Sequence, residues 1–278
     1  MPDFDWNIPL PLRFGQAETP QMTLTGALPD DTLRATFESF IQQRFRKAHG
    51  ADIRHFMPEL FGMHNGDGEL CAVAGVRRAH LESLFLERYL DEPIEPLISA
   101  AADRAVERSA IVEVGNLAAS DTGSARLSII AITYLLAMGG LEWVTFTGNI
   151  GLVNSFHRLG LKPITLCAAD PARLGDDRES WGSYYESKPW VHVGNIRAGF
   201  IHLRNIGMFS RLGLKPVTLC AADPERLGDE RQHWGSYYES KPWVHVGNIR
   251  AGFVHLRDIG LFTRLGLPTS IEGACHVA

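Results

Sequence analysis

The sequence predicts an α/β protein built on a mixed sheet, and three features carry that expectation. Ile111–Ala119 (IVEVGNLAA), an apolar run at 126–138 and LEWVTFTG at 141–148 read as strand, helix, strand, a unit that needs a right-handed crossover. His64-Asn65-Gly66-Asp67-Gly68 is a tight-turn signal between two apolar stretches, 56–63 and 70–79, and marks a β-hairpin. After a short helix at 149–159, LKPITLC at 161–167 and WVHVGNIRAGFIHL at 190–203 read as two more strands, the second bulged at Gly194 or Gly199.

Taken in order, residues 1–29 are Pro-rich and irregular, with a short strand near 22–25. Asp30 or Asp31 caps a helix running to about Lys47, whose Leu33, Phe37, Phe40, Ile41 and Phe45 form one apolar stripe. Its arginines, Arg34, Arg44 and Arg46, are expected in solvent. Helical patterns follow the hairpin at 82–90 and about 93–108. The apolar helix stops at Gly139-Gly140, and the helix at 149–159 stops at Gly160.

Composition narrows the function. Of 278 residues 45% are hydrophobic, enough for a sizeable core, and the net charge of -5 argues against a nucleic-acid partner. The start, MPDFDWNIPLPLRF, lacks the basic and apolar regions of a secretory signal, so a cytoplasmic protein is expected. The most apolar stretch, 127–138, is too short to cross a bilayer, which takes about 20 residues. Cys71, Cys167, Cys220 and Cys275 have no metal-type spacing, and the histidines form no ligand pattern, so no metal is expected.

One segment occurs twice. Residues 158–210 align without a gap to 211–263, an offset of 211 − 158 = 53, and twenty residues, WGSYYESKPWVHVGNIRAGF, recur unchanged at 181 and 234. Two near-identical copies and a third start, RLGL at 264–267, do not resemble a solenoid, where three or more repeats share a core. The domain reading is an irregular segment 1–29, a main domain 30–210, the second copy 211–263 and a tail 264–278. The first copy follows the helix at 149–159 directly and is expected to complete the sheet. The second copy then has apolar strands without a place, and a homodimer joined through them is one way to house them.

Two places invite chemistry. The loop 120–126, SDTGSAR, joins a strand to a helix, and amides at its tip form an anion site, with Arg126 adding charge and a pyrophosphate the natural guest. Small residues in such a loop also serve simply as a turn. Glu113 stands in an apolar strand, where a carboxylate is costly unless used or paired. It is either a general base with a raised pKa or the partner of Arg77 or Arg78. Trp181, Tyr184, Tyr185 and Trp190 read as core or as a pocket wall.

These pieces together resemble the GNAT N-acyltransferase superfamily. NIGLVNSFHRLGL, Asn149 to Leu161, is similar to its N-x-x-A-x-x-x-Y-x-K-x-G-F: Asn149 and Gly160 match, whereas Leu152, Phe156, Arg158 and Leu161 replace Ala, Tyr, Lys and Phe. In the loop motif R/Q-x-x-G-x-G/A, Gly123 and Ala125 match and Ser120 does not. The stretches Gly68 to Arg78 and Glu113 to Leu117 resemble acyl-homoserine-lactone synthases. HGADIRHFMPEL, LFLERYLDEPIE, VEVGNLA and WGSYYESKP resemble the thermostable hemolysins, over roughly 35–205. The resemblance implies a GNAT-like fold and transfer of an acyl group from acyl-CoA, or an acyl carrier, to a small-molecule amine. Leu117, Ala118 and Ala119 would pair with pantetheine, and Thr122, Gly123, Ser124, Ala125 and Arg126 would hold pyrophosphate. Glu113 would be the base, Asn149 would orient the thioester or a bound water, and Tyr184 or Tyr185 would line the acceptor pocket. The alternatives are a haemolytic, membrane-active toxin, or a catalytically inactive relative, which Phe156 favours.

Overall fold

The computed structural model describes residues 6, 8, 10–15, 21–212, 214, 217–221 and 243–246. The chain divides into a larger unit, Met1–Trp6 with Leu10–Gly213, and a smaller one, Asn7–Pro9 with Leu214–Ala278. The smaller unit holds an antiparallel hairpin, β9 (Val217–Ala221) with β10 (Trp243–Val246). The rest of the second repeat copy and the expected tail 264–278 lie outside the described residues.

The larger unit is a mixed, open α/β sheet of eight strands in the order β1-β2-β3-β4-β5-β6-β8-β7. Its strands are β1 (Leu12–Phe14), β2 (Met22–Ala27), β3 (Glu59–His64), β4 (Leu70–Arg78), β5 (Ile111–Ala119), β6 (Trp143–Gly148), β7 (Ile164–Ala168) and β8 (Trp190–Asn195). Every neighbouring pair is antiparallel except β5 and β6, which the helix α3 (Thr122–Met138) connects as a parallel crossover. The hairpin β3–β4 turns where Asn65 Oδ1 accepts the amides of Asp67 and Glu69. The N-terminal stretch is less irregular than its prolines suggest, because β1 and β2 extend the sheet past β3.

Three other expectations are corrected. The strand beginning at Trp190 ends at Asn195, and Ile196–Asn205 is a helix, α5, capped by Asn195 Oδ1 on the amide of Ala198. Ile196, Phe200 and Leu203 recur at helical spacing and are its buried face, a pattern masked by the β-like run before it. The helical stretches at 82–90 and 93–108 shrink to a 3-10 turn at Phe85–Tyr89 and the helix α2 (Ile94–Ala102). The first helix, α1 (Arg34–His49), starts at Leu33 without a side-chain cap, and Asp31 instead accepts the amide of Leu28.

Arg34 is buried rather than solvated. Its guanidinium donates to the carbonyls of Met57 and Pro58, at 2.8 and 3.0 Å, and pairs with Glu38 at 2.6 Å. It thereby fixes the segment before β3 against α1, over a core of Phe37, Ile41, Ile53, Leu60 and Val73. Arg34→Ala strands two carbonyls and removes the ion pair, so a loss of about 2–4 kcal/mol in denaturant-measured stability is expected, with only partial recovery by lysine, which lacks the forked donor.

Candidate functional site

The site begins where the sheet stops being one sheet. β5 pairs with β6 only through Ile111↔Trp143, Val112↔Val144 and Glu113↔Thr145, although β5 runs on to Ala119 and β6 to Gly148. Each strand keeps its outer partner, β4 for β5 and β8 for β6, so the two halves diverge as a wedge. The pairing of β4 and β5 skips from Val73↔Ala118 to Gly75↔Gly115, which puts an extra residue in β5. There Asn116 takes φ +48°, rare for a residue with a side chain. Its side chain steadies that backbone: Oδ1 accepts the amide of Met57 at 2.8 Å and Nδ2 donates to the carbonyl of His55 at 3.4 Å.

A cavity of about 960 Å³ fills the wedge. Glu113 and Val114 both line it, as do Trp143 and Val144, although successive strand residues point to opposite faces. Its lining thus draws on residues from both faces of the sheet. Its walls are mostly apolar, with Ile129, Ile132 and Leu136 from α3 and Phe85 and Trp181 from the 3-10 segments. Two of the lining residues, Trp143 and Thr147, carry polar atoms, Nε1 and Oγ1, that are buried without a hydrogen-bond partner among the described residues. Sequence reading missed both, because in an apolar strand each looks like packing.

Glu113 lies at the closed end of the wedge and is 3% exposed. Its carboxylate accepts the amides of Phe85 at 2.7 Å and Leu86 at 3.1 Å. Burial pushes its pKa up to about 7 against those amides and the charge of Arg77 opposite it on β4. Arg77 spends its ion pair on Glu82 and Arg78 pairs with Glu59. Of the two sequence readings, the partner of an arginine is thus the weaker.

Tyr184 and Tyr185 line the same cavity. Tyr184 packs edge-on against Tyr185 and His49, with centroids 5.2 and 5.4 Å away. The two tyrosines are placed by Gly182, where φ is +53° and a Cβ would come within 2.2 Å of the His49 carbonyl oxygen. Ser183 donates its amide to that same oxygen at 2.9 Å. The Tyr89 and Tyr185 hydroxyls share a hydrogen bond. Burial raises the pKa of all three phenols, that of Tyr185 to about 12, so each stays protonated at neutral pH.

Leu117, Ala118 and Ala119 line the wedge on β5, and Asn149, which follows β6, lines it too. Asn149, however, caps α4 (Ile150–Arg158), its Oδ1 accepting the amide of Leu152 at 3.1 Å, which leaves its NH₂ and a second lone pair of Oδ1 for a ligand. Phe156 stacks on Phe146 with centroids 4.7 Å apart and brings no hydroxyl to the site.

The expected pyrophosphate cradle is corrected. Asp121 caps α3, and its carboxylate accepts the amides of Gly123 and Ser124 at 2.7 and 2.9 Å and the hydroxyls of Ser120 and Ser124. The amide of Ala125 goes to the Asp121 carbonyl, and Arg126 donates its Nε to the Thr122 carbonyl. These hydrogen bonds hold the Asp121 pKa far below the usual carboxylate range. An ionised side chain thus already fills the place proposed for a phosphate. The signal was present: an Asp just before a helical run is an N-cap, and it moves the helix start forward to Thr122. Among the described residues no cluster of three His, Cys, Asp or Glu could hold a metal, and no helix is long and apolar enough to cross a membrane.

At neutral pH the Glu113 carboxyl is poised between its two protonation states. Folding holds a proton on Glu113 that the unfolded chain releases between pH 4.5 and about 7, so this group stabilises the fold at low pH and ceases to as pH rises through 7. The stability of the native chain relative to Glu113→Gln is therefore expected to fall by on the order of 3 kcal/mol between about pH 4 and about pH 8. Denaturant titrations across that range check it, and a flat difference contradicts the assignment.

A family profile described as Thermostable hemolysin matches residues 27–200 and 202–253. No curated protein sequence matches the chain. Among solved structures, the chain is similar to FeeM, an N-acyl amino acid synthase from uncultured soil microbes, at 12% identity and a TM-score of 0.46, covering 69% of this chain and 100% of that one. It is similar to the AHL synthase LasI at 8% identity and a TM-score of 0.43, covering 64% and 91%. A putative arylalkylamine N-acetyltransferase 7 from the yellow fever mosquito Aedes aegypti matches at 11% identity and a TM-score of 0.42, covering 68% and 97%.

Proposed function

This chain belongs to the thermostable hemolysin family, and from that premise we propose that it moves an acyl group from a pantetheine-linked thioester to a small-molecule amine. The observation that carries the reading is the wedge. Beyond Glu113 the facing edges of β5 and β6 are unpaired with each other, and a strand edge left without its partner suits a ligand whose own amides alternate along an extended arm. Pantetheine has that form. Leu117, Ala118 and Ala119 would pair with it, and the apolar walls would take the acyl chain.

The reaction needs few protein groups. The amine nitrogen attacks the thioester carbon, the C–S bond breaks, and the sulfur leaves as a thiolate that is protonated to the thiol. The proton that the nitrogen loses goes to Glu113, directly or through a water, which a carboxylate with a pKa near 7 does well at neutral pH. The NH₂ of Asn149 would orient the thioester or that water. Tyr184 and Tyr185, held protonated, would line the acceptor side and offer a hydroxyl to the departing sulfur.

The donor would be held by its pantetheine arm and not by the tip of α3, where Asp121 repels phosphate. Acyl-CoA and an acyl carrier both supply such an arm. Calorimetry with octanoyl-CoA and octanoyl-pantetheine is expected to give dissociation constants within about tenfold of each other, a gap of about 1.4 kcal/mol or less. A preference for the CoA ester of a hundredfold or more would restore the nucleotide as the main anchor and contradict this reading.

Thiol release across a panel of primary amines tests the chemistry. Glu113→Gln is expected to lower kcat about 10²–10⁴-fold with little change in thioester binding, and kcat/KM is expected to rise through a midpoint near pH 7. Phe156 favours a second reading, a relative that binds the thioester without transfer. Tight binding with no thiol release from any amine would select it.

A further inference from the structure

The part of the chain that builds one wall of the cavity is the part that the sequence repeats. β7, β8, α5 and the 3-10 segments between them all fall within 158–210, and 211–263 follows them at a constant offset of 53. Nine positions differ between the copies. In the first copy Ile164, Ala172, Glu179, Ile201 and Asn205 are exposed, and Asp177, Ser180 and Met208 are half-buried. The ninth pair, Ser210 and Thr263, closes the segment. None of the eight differing positions whose burial is described is buried in the first copy: Leu174, Val191, Val193, Ile196, Phe200 and Leu203 recur as Leu227, Val244, Val246, Ile249, Phe253 and Leu256. The cavity residues Trp181, Tyr184 and Tyr185 recur as Trp234, Tyr237 and Tyr238.

The hairpins agree pair by pair. β7 and β8 pair as Ile164↔Val193, Thr165↔His192, Cys167↔Val191 and Ala168↔Trp190, with an irregularity before Cys167. β9 and β10 pair as Val217↔Val246, Thr218↔His245, Cys220↔Val244 and Ala221↔Trp243, with the irregularity at the equivalent place. A shift of 53 turns one register into the other.

We propose that the two copies are interchangeable occupants of the single place beside β6, so that the chain carries a spare wall for its own cavity. β8 pairs with β6 along Trp143–Gly148, and residues 243–248 repeat Trp190–Asn195 letter for letter. The first copy holds the place because it follows α4 directly. Seating the second requires looping out the 53 residues of the first, an entropic cost that grows only slowly with loop length. The second copy takes over when the first can no longer pack. Differences confined to positions outside the core are what such an exchange requires, because each copy then meets the same partners. The proposal rests on strand pairing and stands or falls apart from the acyl-transfer reading.

Three full-length variants test it: Val191→Asp, Val244→Asp and both together. Val191 is fully buried among Ile111, Trp143 and Leu174, where a carboxylate has no partner. Thermal unfolding is read together with amide hydrogen-exchange protection of Trp143–Gly148. Val244→Asp is expected to unfold like the native chain. Val191→Asp is expected to keep one cooperative transition, lowered by about 10 °C, with β6 still protected. The double variant is expected to lose the transition and the protection. If Val191→Asp alone is as damaged as the double variant, the second copy cannot take the place and the proposal is overturned.

Discussion

Three residue pairs join β5 to β6, and the loss of pairing beyond Glu113 is the constraint on which the rest of the site depends. It divides an eight-stranded sheet into a half carried by β4 and a half carried by β8. The extra residue at Asn116 adds local twist to β5 and so helps to turn it away from β6. Main-chain groups facing the gap are costly if left dry and unpartnered. A wedge of this kind is stable when water or a ligand supplies what the missing strand would have supplied. The cavity and the position of Glu113 at its closed end both follow from that divergence.

Two carboxylates in the site, each accepting two main-chain amides, have opposite acidities. Glu113 accepts two main-chain amides at the start of a 3-10 helix, and Asp121 accepts two at the start of α3. Glu113 is buried and its pKa rises to about 7, whereas Asp121 is exposed and its pKa falls well below normal. Desolvation decides the first and hydrogen bonding the second. One carboxyl is therefore available for proton transfer at neutral pH. The other stays ionised and holds the amides of Gly123 and Ser124 at the α3 tip.

Much of the fold was legible because period and punctuation agreed. The strand at 111–119, the hairpin around Asn65 and the helix ending before Gly139 were each marked by apolar pattern and turn residues together. Where the signals conflicted, reading failed. Residues 190–205 begin with a β-like alternation and end with a helical one, and the boundary at Asn195 is visible only as a cap. Arg34 looked solvated because its partners, the carbonyls of Met57 and Pro58, are backbone groups that no side-chain pattern reveals. In the site, Glu113 stood out as a charge in an apolar strand. The wedge itself did not, since strand divergence is a property of pairing between distant segments. The α3 tip was misread by treating Asp121 as loop when its spacing from the helix made it the cap.

The most direct test of the wedge as the donor site is amide chemical-shift mapping of the full chain titrated with a non-hydrolysable octanoyl-pantetheine thioether. The account predicts saturable shifts at Val114–Ala119 on β5 and at Phe146–Gly148 on β6, with the amides of Gly123 and Ser124, already held by Asp121, left nearly unmoved. Saturable shifts centred on Gly123 and Ser124 with β5 and β6 unaffected, or no binding at all, would contradict it.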